Sequence, residues 1–178
     1  MSKKKFYSAI FILVLITGIA LKVFAVEYDA YKPEIIEDIK NNITLKDTIR
    51  YTTVPRGIIL SIAQSELFED KSDQISLNGK KLLKFIANIL ESFDNQCTIE
   101  AHTEESVAHD NYTENWEISI VRANRIASYI VNVLGVKTER IFPVGFGDIM
   151  PFKDNVDEKG NFSNNRIDFV IFDYTTTR

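Results

Sequence analysis

Cysteine is nearly absent from this chain. The single Cys97 in 178 residues excludes an intramolecular disulfide and any metal site built from four cysteines. No cysteine precedes it, so a lipid-bearing cysteine placed directly after an export segment is excluded as well. Histidine is almost as scarce: His102 and His109 are the only two, and no Ser-His-Asp or Cys-His pairing stands out, so no enzyme activity and no cofactor are expected. His102-Thr103-Glu104 carries the His-x-Glu of zinc deaminases, but the Pro-Cys-x-x-Cys that must accompany it is missing, and no metal site is expected. Positive charge is not in excess: the net charge is −4, which leaves no basic stripe to displace counterions from phosphate and argues against nucleic acid. Long hydrophobic runs are limited to one, at the N-terminus, and there is no internal repeat.

That run extends from Phe6 to Leu21 without a charged side chain, behind Lys3-Lys4-Lys5 and ahead of Lys22 and Val23-Phe24-Ala25-Val26. It reads as a signal peptide or signal-anchor over residues 1–26. As a helix, Phe6–Leu21 spans about 24 Å, short of the roughly 30 Å bilayer core, whereas extension to Val26 reaches about 31 Å with Lys22 snorkelling. Val23-Phe24-Ala25 also resembles a signal-peptidase site. Either way the lysines stay inside and the remainder is exported, giving an envelope protein that contacts the membrane through this segment.

The rest, 45% hydrophobic and 26% charged over the whole chain, suffices for one folded domain. Residues 27–55 are polar and read as a stalk, with a short amphipathic stretch at Ile35, Ile36, Ile39 and Ile43 after Pro33. Gly57–Ala63 is rich in β-branched residues and reads as the first strand. Ser65–Gln74 is expected to be a loop carrying Leu67-Phe68. Ser76 is a plausible helix cap, followed by Leu82, Leu83, Ile86, Leu90 and Phe93 at helical spacing. Thr98–His102 reads as a second strand, and Glu104–Glu114, with Glu105 and Asp110, as a solvated acidic loop whose spacing is not that of a calcium site. A second helix runs from Asn115 to near Gly135, a natural C-terminal glycine. Arg140–Gly145 reads as a third strand at an edge, because of Pro143; Gly145-Phe146-Gly147 is expected to make a tight turn, and Ile167–Phe172 is the last strand. The order βαβαβ-loop-β implies an α/β two-layer sandwich, helices on one face of a mixed four-stranded sheet, over residues 56–173, with a tail at 174–178.

The second helix carries the candidate site. At about 100° per residue, Asn115, Ser119 and Arg122 fall on one side. Trp116, Ile120, Ala123, Ala127, Ile130, Val131 and Leu134 form an adjoining apolar stripe expected to pack on the core, with a packing role for Trp116. A guanidinium in the second turn can fork onto a carboxylate, and Glu104 can supply an anion beside it, so that the pair could hold a small zwitterion.

Several motifs in order resemble those of the OmpA-like, or OmpA/MotB C-terminal, peptidoglycan-associating domain. They are Ala101-His102-Thr103-Glu104; Asn115, Ile118-Ser119 and Arg122-Ala123; Gly135-Val136 with Arg140-Ile141; Gly145-Phe146-Gly147 with Pro151; Asn155; and Gly160-Asn161 through Asn164-Asn165-Arg166-Ile167-Asp168-Phe169. Asn115-Trp116-Glu117 and the stretch from Arg56-Gly57 to Leu67-Phe68 look closer to the MotB branch. The resemblance covers roughly residues 56–173. It implies non-covalent binding of a diaminopimelate-type peptide stem of peptidoglycan, with Glu104 in the family's Asp role, Arg122 in its Arg role, Thr103, Asn115 and Ser119 as flanking polar groups and Arg166 as support from the last strand. It also admits a homodimer. Glu104 departs from the family's Asp by one methylene and one more rotamer to order, and Asn161 and Asn165 replace two family arginines. A MotB-like stator subunit is the alternative, but such a subunit is expected to need an ionisable residue within the membrane, and Phe6–Leu21 has none. A wall-degrading enzyme would need paired carboxylates or a metal site that the spacing does not assemble.

Overall fold

The computed structural model describes residues 35–37, 41, 47–104, 112, 114–149 and 164–175. The export segment 1–26, most of the stalk, the acidic residues Glu105 and Asp110, the motif positions Pro151, Asn155, Gly160 and Asn161, and the last tail residues lie outside them. Among the described residues no helix is long and apolar enough to cross a membrane.

Five strands form one mixed sheet: β1 (Ile49–Val54), β2 (Gly57–Ala63), β3 (Asn95–His102), β4 (Ile141–Gly147) and β5 (Arg166–Thr175), in the spatial order β1-β2-β5-β3-β4. Only the β3–β4 pair is parallel. The α/β sandwich is as expected, with one strand more than the four anticipated. The addition is β1, from within the polar stretch read as a stalk. It is an edge strand with Ile49 buried and Arg50, Thr52 and Thr53 exposed, so its sequence looks polar because one face meets water. The ordered body also reaches back to Ile35, which is fully buried in the core.

Strand alternation decides which face is covered. Ile58, Leu60 and Ile62 of β2, Cys97, Ile99 and Ala101 of β3 and Ile167, Phe169 and Ile171 of β5 point into one apolar cluster with the helices. The opposite face carries Ser61, Glu100, His102, Arg166 and Asp168. The helices of the domain described from end to end include a single turn α1 (Gln64–Leu67), α2 (Leu77–Ser92) and α3 (Asn115–Asn132). Ser76 caps α2, its hydroxyl accepting from the Gly79 N–H at 2.9 Å, and Leu82, Leu83, Ile86 and Leu90 are buried as their spacing predicts. Beyond α3, Gly135 takes a left-handed φ of 86°, and the Val136 N–H closes back onto the Ile130 carbonyl.

The buried face of α3 is rotated from the predicted stripe. Ala123, Ala127 and Ile130 are buried, but so are Ile118 and Ile126, while Trp116 is 52% and Ile120 39% exposed. The cause lies in β4. A Cβ on Gly145 would stand 2.4 Å from the Ile120 backbone nitrogen, and one on Gly147 3.0 Å from that of Trp116. The helix therefore lies backbone against backbone on the edge strand, and the side chains of Trp116 and Ile120 pass to the outside. Gly145-Phe146-Gly147 is thus strand and helix seat, not the tight turn expected from its glycines.

Candidate functional site

The rotation of α3 turns its polar side inward. Ser119 is fully buried and Arg122 only 4% exposed. The Ser119 hydroxyl donates to the Trp116 carbonyl at 2.8 Å and accepts the Gly147 N–H at 3.0 Å, fastening α3 to β4. Arg122 reaches across to the β2–α1 junction. One Nη donates to Gln64 Oε1, the other donates to the Ser72 carbonyl at 2.9 Å, and the guanidinium lies over the Phe68 ring at 5.0 Å. Such stacking suits Arg better than Lys because the planar cation is weakly hydrated. Burial pulls its pKa down to about 10, against the opposing pull of Asp73, so it still carries its charge at neutral pH.

Gln64 is the hub, and the sequence reading passed over it. Its amide donates to the His102 carbonyl at 2.8 Å and to the Thr103 hydroxyl at 3.1 Å while its oxygen takes Arg122. A glutamine directly behind an apolar strand was the only available signal. Thr103 is buried, and its N–H bonds the Gly147 carbonyl at 2.8 Å. Glu104 is exposed. Its N–H donates to Asn165 Oδ1 at 3.0 Å, its carboxylate accepts from Asn164, and its carbonyl accepts from Asn115 at 3.2 Å. The two asparagines before β5 thus hold the strand end from which Glu104 projects.

A cavity of about 230 Å³ opens here, its wall including Gln64, Phe68, Lys71, Arg122 and Asn165. Arg122 and the residue that anchors Glu104 therefore face one recess. Arg166 stands on the other side of the sheet: its Nε donates to Asp168 at 2.9 Å, and only its carbonyl turns towards Gln64, at 3.5 Å. On that face burial raises Glu100, with Arg56 opposing and Asp168 adding to the rise. Burial acts on Asp168 in the same direction, but hydrogen bonds from His102 and Ser61 and the Arg166 charge together hold its carboxyl low. Burial likewise drives the Cys97 thiol far up, so it is no nucleophile.

The strand end, the Arg-bearing helix and the glycine-seated edge strand all fall within residues 67–166, the region matched by the profile of the OmpA family, which is more than half of the chain. The chain belongs to the OmpA family. As an OmpA-family domain it is a structural module and not an enzyme. Its relatives include the YtxE protein of Bacillus subtilis, 30% identical over 123 residues, which are 68% of this chain and 51% of that one; the chain thus spans about half the length of that relative. Solved structures share its fold as well. The cell wall anchor of the type VI secretion system from Pseudomonas aeruginosa superposes with a TM-score of 0.65 at 22% identity, covering 78% of this chain and 94% of that one. The periplasmic domain of Helicobacter pylori MotB superposes at 0.63 and 20% identity, covering 72% and 83%.

Proposed function

We propose that this OmpA-family domain binds peptidoglycan non-covalently in the cell envelope, Arg122 gripping a stem-peptide carboxylate and Glu104 receiving the ammonium of a diaminopimelate-type residue. The observation that carries the reading is a buried guanidinium in the wall of an open recess also lined by Asn165, whose side chain holds the Glu104 backbone. Two acceptors of Arg122 are neutral, the Gln64 amide oxygen and the Ser72 carbonyl, whereas a bond to an incoming stem carboxylate would be charge-assisted. Thr103, Asn115 and Ser119 hold the frame: Thr103 through Gln64, Asn115 through the Glu104 carbonyl, Ser119 through β4. Residues 1–26 deliver the domain across the inner membrane or hold it there, the residues ahead of Ile35 give it reach, and the wall-bound domain then ties membrane to wall.

Co-sedimentation with purified sacculi tests this. Wild type is expected in the pellet and Arg122→Ala in the supernatant. Wild-type protein that stays in the supernatant would sink the function, and an Arg122→Ala variant that pellets like wild type would sink the clamp.

A further inference from the structure

On the sheet face opposite the apolar cluster, away from the recess, three potential metal ligands converge. The β3–β5 register sets Glu100 opposite Asp168 and His102 opposite Arg166. One ligand atom from each of Glu100, His102 and Asp168 lies within 4.8 Å of the other two. His102 is 3% exposed and stacked on Phe146, ring centroids 5.1 Å apart, yet its Nδ1 has no hydrogen-bond partner and its Nε2 has only the long 3.4 Å approach to Asp168 Oδ2. A buried imidazole with one nitrogen unpartnered and the other only weakly held is a costly arrangement, which an ion among the three ligands would relieve.

We propose that Glu100, His102 and Asp168 form a binding site for a divalent transition-metal ion, zinc by its chemistry. One imidazole nitrogen with two carboxylate oxygens suits zinc better than calcium or magnesium, which take oxygen-only shells. His102 Nε2 stands 3.4 Å from Asp168 Oδ2. Bonds of roughly 2.0–2.2 Å to a tetrahedral ion set ligand atoms about 3.3–3.5 Å apart, so this edge needs little adjustment. Three protein ligands leave a fourth position for water. Arg166 donates to Asp168 Oδ2 and so fixes the orientation of the carboxylate, as hydrogen-bonded outer partners of metal ligands do. Arg56 is 3.9 Å from Glu100, but its side chain is 55% exposed and can swing into water as the ion enters. The ion would cross-link β3 to β5 just behind Thr103. Since the His102 carbonyl receives Gln64, which in turn holds Arg122, it would also stiffen the back wall of the recess.

The test is zinc titration of the chelator-treated full chain in detergent micelles by calorimetry, with cobalt substitution read as visible absorption. About one ion per chain is expected, weakened at least tenfold by His102→Gln and measurably by Glu100→Gln, with His109→Gln like wild type. Circular dichroism checks folding; because Glu100 is only half-buried, Glu100→Gln still reports should His102→Gln misfold. Absence of saturable zinc binding up to millimolar metal, or binding undiminished in both Glu100→Gln and His102→Gln, overturns the proposal.

Discussion

Arg122 combines two demands in one side chain: it must bridge α3 to the β2–α1 junction and still present charge to the recess. Arg122→Lys separates the two. An ammonium keeps the charge but cannot span Gln64 and the Ser72 carbonyl at once or stack as a plane on Phe68. We expect sacculus binding to fall by tenfold or more in a co-sedimentation isotherm, about 1.4 kcal/mol, while circular dichroism stays that of wild type. Gln64→Ala should act on stability instead. It strands the Thr103 hydroxyl, the His102 carbonyl and part of Arg122, and urea unfolding should show a loss of about 1–3 kcal/mol. Cys97 offers a simple check on the core, since its buried, strongly raised thiol should resist a disulfide reagent in native protein and react only on unfolding. The sequence made Arg122, Glu104 and Thr103 legible as a group because motif spacing survives without coordinates. Gln64 and Ser72 were not legible: they meet Arg122 only through tertiary contacts across 58 and 50 residues. Nor does spacing suggest that Asp168 would join Glu100 and His102, since strand pairing alone brings them together.

At the scale of elements, α3 shows where periodicity misleads. Hydrophobic spacing ranks faces by apolar content, but a helix seated on glycines needs no large side chain at the seat. The β4 pair Gly145 and Gly147 lets α3 approach so closely that its apolar flank at Trp116 and Ile120 faces outward and its polar flank faces in. Two substitutions discriminate the observed face from the predicted one. Ile126→Ala should cost about 2–5 kcal/mol in urea unfolding because it empties a fully packed site. Trp116→Ala should change stability by only about 0.5 kcal/mol despite its larger side chain. Gly145→Val should lift the helix off the strand and cost about 1–3 kcal/mol or more by overpacking, and by shifting Arg122 it should lower sacculus binding even where the protein remains folded.

For the whole molecule, the sandwich of two helices on a mixed sheet followed from the alternation of strand and helix patterns, and the edge position of β4 from Pro143. The N-terminal limit did not, because β1 has only one dry face and its polar residues merge with the stretch before it. A fragment starting at Arg56 lacks β1 and Ile35 and exposes the edge of β2; it should melt well below one that begins at Pro33, and light scattering should show it associating. The row Ile49, Ile62, Ile167, Ala101 runs straight across four neighbouring strands. The chain therefore enters the sheet at the same rim from which Thr103 and Glu104 project, only about 14 Å away at three strand spacings. Once Ile35 is pulled from the core, tension between Ile49 and a ligand at Arg122 would run crosswise through that rim. The far end of the domain, with the β1–β2 turn and the C-terminal half of β5, would hang outside the line of pull and bear almost none of the load.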